Sequence, residues 1–68
     1  MNKSEAIKAM LSGKKVTHNY FSDDEWMMLN NGDENEYLFE DGVIISATEF
    51  WKIRSAIEWL TDWEIFKG

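Results

Sequence analysis

Residues 25–45 read EWMMLNNGDENEYLFEDGVII, which is three apolar runs separated by two turn signals. Asn31-Gly32 and Asp41-Gly42 are dipeptides typical of tight turns between antiparallel strands. The first run, Glu25 to Leu29, has apolar side chains at odd and even positions alike, which is typical of a strand buried on both faces, in the core or at an interface. We therefore predict a small antiparallel sheet, with Asp33 to Glu36 extending the first turn as a charged loop.

The segment before these strands predicts one helix and one further strand. Ser4 is a favourable N-cap, and apolar residues then recur at the i, i+3, i+4 spacing of one buried helix face. Gly13 ends this helix as a left-handed C-cap. A strand follows from about Lys14 to His18, and Asn19 to Asp24 is a polar break.

The segment after the hairpins has two interpretations. Glu49 to Ile53 can form a strand, followed by a short helix that a capping box at Ser55 starts near Ala56. Alternatively, Thr48 to Leu60 forms a single helix. We favour the strand and short helix, with Asp62 to Phe66 as the last strand. The predicted fold class is α+β: an N-terminal helix, a small antiparallel β-sheet, and a short C-terminal helix followed by a last strand.

Length and composition exclude several classes of protein. Sixty-eight residues hold only one core, so residues 1–68 are expected to form a single domain. The absence of Cys excludes disulfides and a Cys-based zinc site. Thirteen acidic against seven basic residues give a net charge of −6, which argues against direct nucleic-acid binding. No segment has the length of a signal peptide or a membrane span, so a cytoplasmic location without membrane contact is expected.

Self-association is expected from the small size of the chain. A domain of this length usually needs a disulfide, a metal or oligomerisation to be stable, and the first two are not indicated. The chain also has four Trp, more than so small a core needs. We expect Trp63 and one other Trp in the core and the rest at the interface of a homo-oligomer. The alternative is an aromatic box that stacks on a planar ligand.

No group of residues predicts catalysis or metal binding. His18 has no nucleophile or orienting acid at a recognisable spacing, so we expect a surface or pocket-rim His and no enzymatic activity. The acidic runs Asp23–Glu25 and Asp33–Glu36 lack the offsets of a calcium loop, and we expect neither a metal nor a cofactor. These runs are solvated turns or an acidic surface for a basic partner. Gly13-Lys14-Lys15 is a small cationic spot that complements the helix C-terminus or meets a phosphate.

Two motifs in this order resemble a group of short proteins encoded by phages and prophages, which includes the Thoeris anti-defence proteins. The first motif is a Glu-Ala helix start followed by a Gly-Lys strand and an aromatic residue. The second is a Trp followed by a short capped helix and an Asp-Trp-Glu strand. They comprise Glu5-Ala6, Gly13 to His18, Phe21, Trp51, Ser55 and Asp62-Trp63-Glu64. The likeness covers both ends, about half of the chain. His18 stands where the family usually has Arg, and Phe21 where it usually has Trp, and His lacks the permanent charge of Arg.

The resemblance implies a small non-enzymatic protein that sequesters a nucleotide-derived immune signal, such as a cyclic ADP-ribose isomer, between the subunits of a homo-oligomer. We expect Phe21, Trp26 or Trp51 to stack on the base of such a ligand, and a cation among Lys14, Lys15 and His18 to meet its phosphate. The alternative is an acidic inhibitor that binds a host defence protein in place of nucleic acid, in the cytoplasm of the host cell. Its acidic residues would lie in Asp23 to Glu25 and Asp33 to Asp41.

Overall fold

The computed structural model describes residues 1–67 and has two α-helices, one 3₁₀ helix and five strands within that range. The predicted α+β class, the N-terminal helix and the last strand are confirmed. In chain order the elements are α1 (Lys3–Leu11), β1 (Val16–His18), β2 (Met27–Asn30), β3 (Asp33–Phe39), β4 (Ile44–Ser46), α2 (Ala47–Ile53), the 3₁₀ helix (Ile57–Leu60) and β5 (Trp63–Ile65). None of the helices in residues 1–67 is long and apolar enough to cross a membrane.

The five strands form one antiparallel sheet in the order β4-β3-β2-β1-β5. The two α-helices pack on the same face of the sheet. Helix α1 contacts β1, β2 and β5, and helix α2 contacts β3 and β4. The core lies between this helical layer and the inner face of the sheet. Its buried apolar residues are Ala6, Met10, Val16, Met27, Leu29, Tyr37, Phe39, Phe50 and Trp63.

The opposite face of the sheet carries no helix among the described elements, and we call it the open face. Strand alternation places Met28 there, between its inward neighbours Met27 and Leu29. The register then aligns Met28 with Leu38 of β3 and Leu38 with Ile44 of β4, so these three side chains form one apolar row. The strand begins at Met27 rather than at Glu25, and only its inner residues Met27 and Leu29 are buried, so the burial of both faces of this strand stays a prediction.

The first predicted turn is confirmed, but the prediction of a charged loop after it is wrong. Asn31 and Gly32 have φ angles of 54° and 78°, the left-handed pair that a tight hairpin turn requires. Asn30 pairs directly with Asp33, so β3 begins there. The exposed acidic residues of Asp33–Glu36 therefore lie in a strand, because a two-residue turn lets pairing restart at once.

The structure corrects the N-terminal cap. Asn2, not Ser4, is the N-cap of α1: its side-chain oxygen accepts from the Glu5 backbone N–H at 2.8 Å. The Glu5 carboxylate in turn accepts from the Asn2 backbone N–H at 2.9 Å, which completes a reciprocal capping box. The strand that follows is also shorter than predicted, since it begins at Val16 rather than at Lys14.

In the segment between the hairpins and the last strand, the predicted strand Glu49 to Ile53 and the alternative single helix are wrong, whereas the short helix near Ala56 is confirmed. Residues Ala47–Ile53 form helix α2 instead of a strand, because Ser46 accepts from the Glu49 backbone N–H at 3.1 Å and caps the helix. Phe50 on this helix is fully buried, which fixes it against the sheet. A single helix through to Leu60 does not form either, because α2 ends at Ile53 and Arg54 is its C-cap. The short 3₁₀ helix begins after Ala56, without a capping bond from Ser55.

Candidate functional site

The six residues predicted to bind a ligand lie in three separate places. His18 and Phe21 belong to an aromatic cluster on the inner side of β1. Trp51 belongs to α2 and packs at the β3 side of the core. Lys15 meets Trp26 on the open face, and Lys14 is its exposed chain neighbour. The fold therefore does not bring the six side chains together within one subunit.

His18 is buried, with 3% of its surface exposed, so the expectation of a surface position is wrong, although the residue lines the groove described below. Its Nε2 lies 3.0 Å from the Glu58 carbonyl oxygen and 2.8 Å from that of Thr61, and carbonyls only accept, so Nε2 carries the proton. Its Nδ1 accepts from the Tyr20 backbone N–H at 3.0 Å. Both ring nitrogens are thus engaged, and His18 joins β1 to the segment that leads into β5.

Aromatic rings surround His18. Trp59 lies 4.3 Å from it and Trp63 lies 4.8 Å from it, between ring centroids. Phe21 stands at the border of this cluster, 5.7 Å from Trp63 in an edge-to-face arrangement. The ring nitrogen of Trp63 donates to the Trp59 carbonyl at 2.9 Å. Trp63 is buried as predicted, and the cluster shows that Trp59 and Phe21 stabilise the fold as well.

Trp51 is occupied by contacts within the fold. Its ring nitrogen donates to the Tyr37 hydroxyl at 2.8 Å, and the Lys3 ammonium lies 4.3 Å from its ring centroid. Burial raises the pKa of the Tyr37 hydroxyl above its ordinary value, and the hydrogen bond from Trp51 opposes this shift. These contacts tie α2 to β3 and to the start of α1.

Lys15, Trp26 and Phe66 form an aromatic site on the open face, where Lys15 is exposed and both rings are half-buried. The Lys15 ammonium lies 4.2 Å from the Trp26 ring centroid. The rings of Trp26 and Phe66 are 6.4 Å apart, and the Phe66 backbone N–H donates to the Lys15 carbonyl at 2.9 Å. All three side chains are partly or fully accessible. We call this group the Lys15 site: it combines two aromatic surfaces with a cation.

An acidic groove runs beside the Lys15 site, along β1 and β5. One part has a volume of about 540 Å³ and is lined by Asp23, Asp62 and Glu64 together with His18 and Phe21. The adjoining part, about 600 Å³, shares Asp23 and Glu64 and reaches Asp24, Phe66 and Lys67. The groove therefore ends at Phe66 of the Lys15 site. Within residues 1–67, no three His, Cys, Asp or Glu side chains are placed to hold a metal ion.

Arg54 is a residue that the sequence interpretation missed. Its guanidinium lies 4.1 Å from the Phe50 ring centroid and 5.2 Å from that of Trp59. Its Nε is buried and has no hydrogen-bond partner among the described residues. Burial lowers the pKa of this guanidinium, and the negative charge of Glu25 opposes the shift. The four-residue spacing between Phe50 on α2 and Arg54 at its C-cap was the available signal.

Comparisons with known proteins assign neither a family nor a function to this chain. No family model, no curated protein and no solved structure matches this chain.

Proposed function

We propose that this chain is a small non-enzymatic phage-type protein that sequesters a nucleotide-derived immune signal at the interface of a homo-oligomer, in the host cytoplasm. The observation that carries the proposal is the Lys15 site, where an ammonium and two accessible rings meet on an unpartnered sheet face. A nucleotide needs these two kinds of group, a ring for its base and a cation for its phosphate.

Two of the predicted ligand-binding residues make contacts within the fold instead, so fewer side chains are available to contact the ligand. His18 and Trp51 direct their polar atoms into the fold, so we assign them to structure. Phe21 lines the groove that ends at Phe66, and Lys14 is exposed next to Lys15. In the proposed complex Trp26 and Phe66 stack on the base, and Lys15 leaves the Trp26 ring to meet the phosphate. The loss of the contact between Lys15 and Trp26 costs little free energy, because an exposed cation–aromatic contact contributes only about 0.5–1 kcal/mol.

Calorimetric titration with cyclic ADP-ribose isomers tests this proposal. We expect Trp26→Ala and Lys15→Gln each to weaken binding by about tenfold or more, which corresponds to 1.4 kcal/mol. Lys52→Gln is the matched control, since Lys52 is also an exposed lysine but lies on α2. Wild-type protein that binds none of the isomers, or equal losses in Lys15→Gln and Lys52→Gln, would refute the proposal.

The acidic groove favours a second candidate function, binding to a basic site of a host defence protein in place of nucleic acid. Asp23, Asp62 and Glu64 line one groove, and no Lys or Arg occurs between Val16 and Trp51. Attraction between such a surface and a basic protein weakens as salt screens it. We expect a partner captured from defence-active cells to be lost at high salt and on combined Asp23→Asn and Glu64→Gln substitution. Capture that is unchanged by both would exclude this candidate.

A further inference from the structure

The pairing of β1 with β5 places Glu64 beside the Lys15 site. Thr17 lies opposite Glu64 in the register of these strands. Two residues along, the Phe66 backbone N–H donates to the Lys15 carbonyl at 2.9 Å. Side chains alternate between the two faces of a strand, so Glu64 and Phe66 point away from the core that holds Trp63. Glu64 is therefore the neighbour of Phe66 on the open face, with about 7 Å between them, and lies diagonally across from Lys15.

Glu64 is the acidic residue that a strand holds in place at this end of the groove. The part of the groove that reaches Phe66 is lined by three acidic residues, Asp23, Asp24 and Glu64. Asp23 and Asp24 lie in the turn before β2, whereas Glu64 is the exposed central residue of β5. Side chains on strands are positioned more precisely than side chains on loops. Of these three carboxylates, that of Glu64 is therefore the one suited to recognise a ligand at the Lys15 site.

A carboxylate next to the Lys15 site has two consequences for a nucleotide. It repels phosphate groups, so it favours their placement towards Lys15. It also accepts hydrogen bonds, and the 2′- and 3′-hydroxyl groups of a ribose are two adjacent donors. Dinucleotide-binding folds recognise an unmodified ribose in this way, through an acidic residue that binds the 2′-hydroxyl. The space beside Glu64, about 600 Å³, lies in the range of about 300–1,000 Å³ that small-molecule sites occupy.

We infer that Glu64 determines the specificity of the Lys15 site, because its carboxylate accepts hydrogen bonds from the 2′- and 3′-hydroxyl groups of the ligand's ribose. The ligand is then a ribonucleotide with both hydroxyls free, and the site rejects deoxynucleotides and nucleotides that carry a further phosphate on the ribose. The inference rests on the proposed function and names the ligand class of the same site. The base lies on Trp26 and Phe66, the phosphate lies at Lys15, and the ribose hydroxyls face β5.

Calorimetric titration with two nucleotides that differ only in the ribose tests the inference. Adenosine 5′-diphosphate (ADP) has both hydroxyls, and 2′,3′-dideoxy-ADP has neither. We expect the wild type to bind ADP more tightly by about tenfold or more, because hydrogen bonds to a charged acceptor are the stronger ones. Glu64→Gln replaces the charged acceptor with a neutral one and should reduce this preference. Glu58→Gln is the matched control and should keep it, since Glu58 is also exposed but lies on the 3₁₀ helix.

A third nucleotide gives a result that misfolding of the variant does not imitate. Adenosine 3′,5′-bisphosphate carries a phosphate group where the inferred contact with Glu64 lies. We expect Glu64→Gln to bind this nucleotide more tightly than the wild type does, because the substitution removes the repulsion between two negative charges. Glu58→Gln should bind it as the wild type does. A partly unfolded variant would instead bind all three nucleotides more weakly.

The outcomes separate this inference from the proposed function. Equal affinity of the wild type for ADP and dideoxy-ADP, or equal preference in Glu64→Gln and Glu58→Gln, overturns the inference alone. Binding of a cyclic ADP-ribose isomer without binding of ADP also overturns it, because a site that recognises free ribose hydroxyls accepts the open nucleotide. Wild-type protein that binds none of these compounds refutes the proposed function and the inference with it.

Discussion

The ring N–H of Trp51 donates a 2.8 Å hydrogen bond to the hydroxyl of Tyr37, which joins helix α2 to strand β3. The two rings also meet edge to face, with centroids 6.2 Å apart. Trp51→Phe keeps an aromatic ring and removes the donor. We expect this variant to lose about 1 kcal/mol of unfolding free energy in urea titrations. A double-mutant cycle with Tyr37→Phe should return a coupling energy of similar size, and a coupling near zero would show that the bond contributes nothing.

The same tyrosine makes stability depend on pH in the alkaline range. Burial raises the pKa of the Tyr37 hydroxyl above its ordinary value of 10.0. The unfolded chain therefore releases this proton at a lower pH than the folded chain does. The stability due to the neutral phenol is fully present below the ordinary pKa and is lost as pH rises towards the folded pKa. We expect the melting temperature of the wild type to fall more steeply above about pH 10 than that of Tyr37→Phe. Parallel curves for the two proteins would contradict this expectation.

His18 holds one tautomer because of its three hydrogen bonds. Nε2–H donates to two carbonyls, and Nδ1 accepts from the Tyr20 backbone. We expect long-range ¹H–¹⁵N NMR spectra of the neutral ring to show the Nε2–H form alone. His18→Phe would leave the Tyr20 N–H and the two carbonyls without their partner and should destabilise the fold by about 2–4 kcal/mol. A mixture of tautomers, or a stable Phe variant, would mean that these bonds do not order the segment.

At the start of α1 the observed cap, Asn2, differs from the predicted cap, Ser4. Asn2 makes the capping bonds, whereas Ser4 lies inside the helix and is exposed. Asn2→Ala should reduce the unfolding free energy by about 1 kcal/mol. Ser4→Ala is the control and should be neutral or slightly stabilising, because Ala has the higher helix propensity. The reverse order of the two effects would restore Ser4 as the cap.

Local signals predicted the parts of this fold that depend on neighbouring residues. Asn31-Gly32 specified its turn because only a few residue types adopt two left-handed conformations in succession. The apolar residues of helix α2 fit both the helical and the strand period, and the cap formed by Ser46 and the Glu49 backbone N–H is what favours the helix. The contact of Lys15 with Trp26 depends on the pairing of β1 with β2 across a loop, which no local pattern specifies. The burial of His18 likewise depends on carbonyls 40 and 43 residues further along the chain.

Arg54 lies over Phe50 and Trp59 with a buried Nε that has no partner among residues 1–67. Desolvation of a charged group without a compensating hydrogen bond is unfavourable, whereas the contact of the guanidinium with two aromatic rings is favourable. Arg54→Met retains an unbranched apolar stem but removes the guanidinium group and its charge. We expect its unfolding free energy to equal or exceed that of the wild type. Arg54→Ala also removes the packing and should lose about 1–2 kcal/mol. If both variants lose the same amount, the guanidinium itself stabilises the fold, and attraction to Glu25 then outweighs the cost of burial.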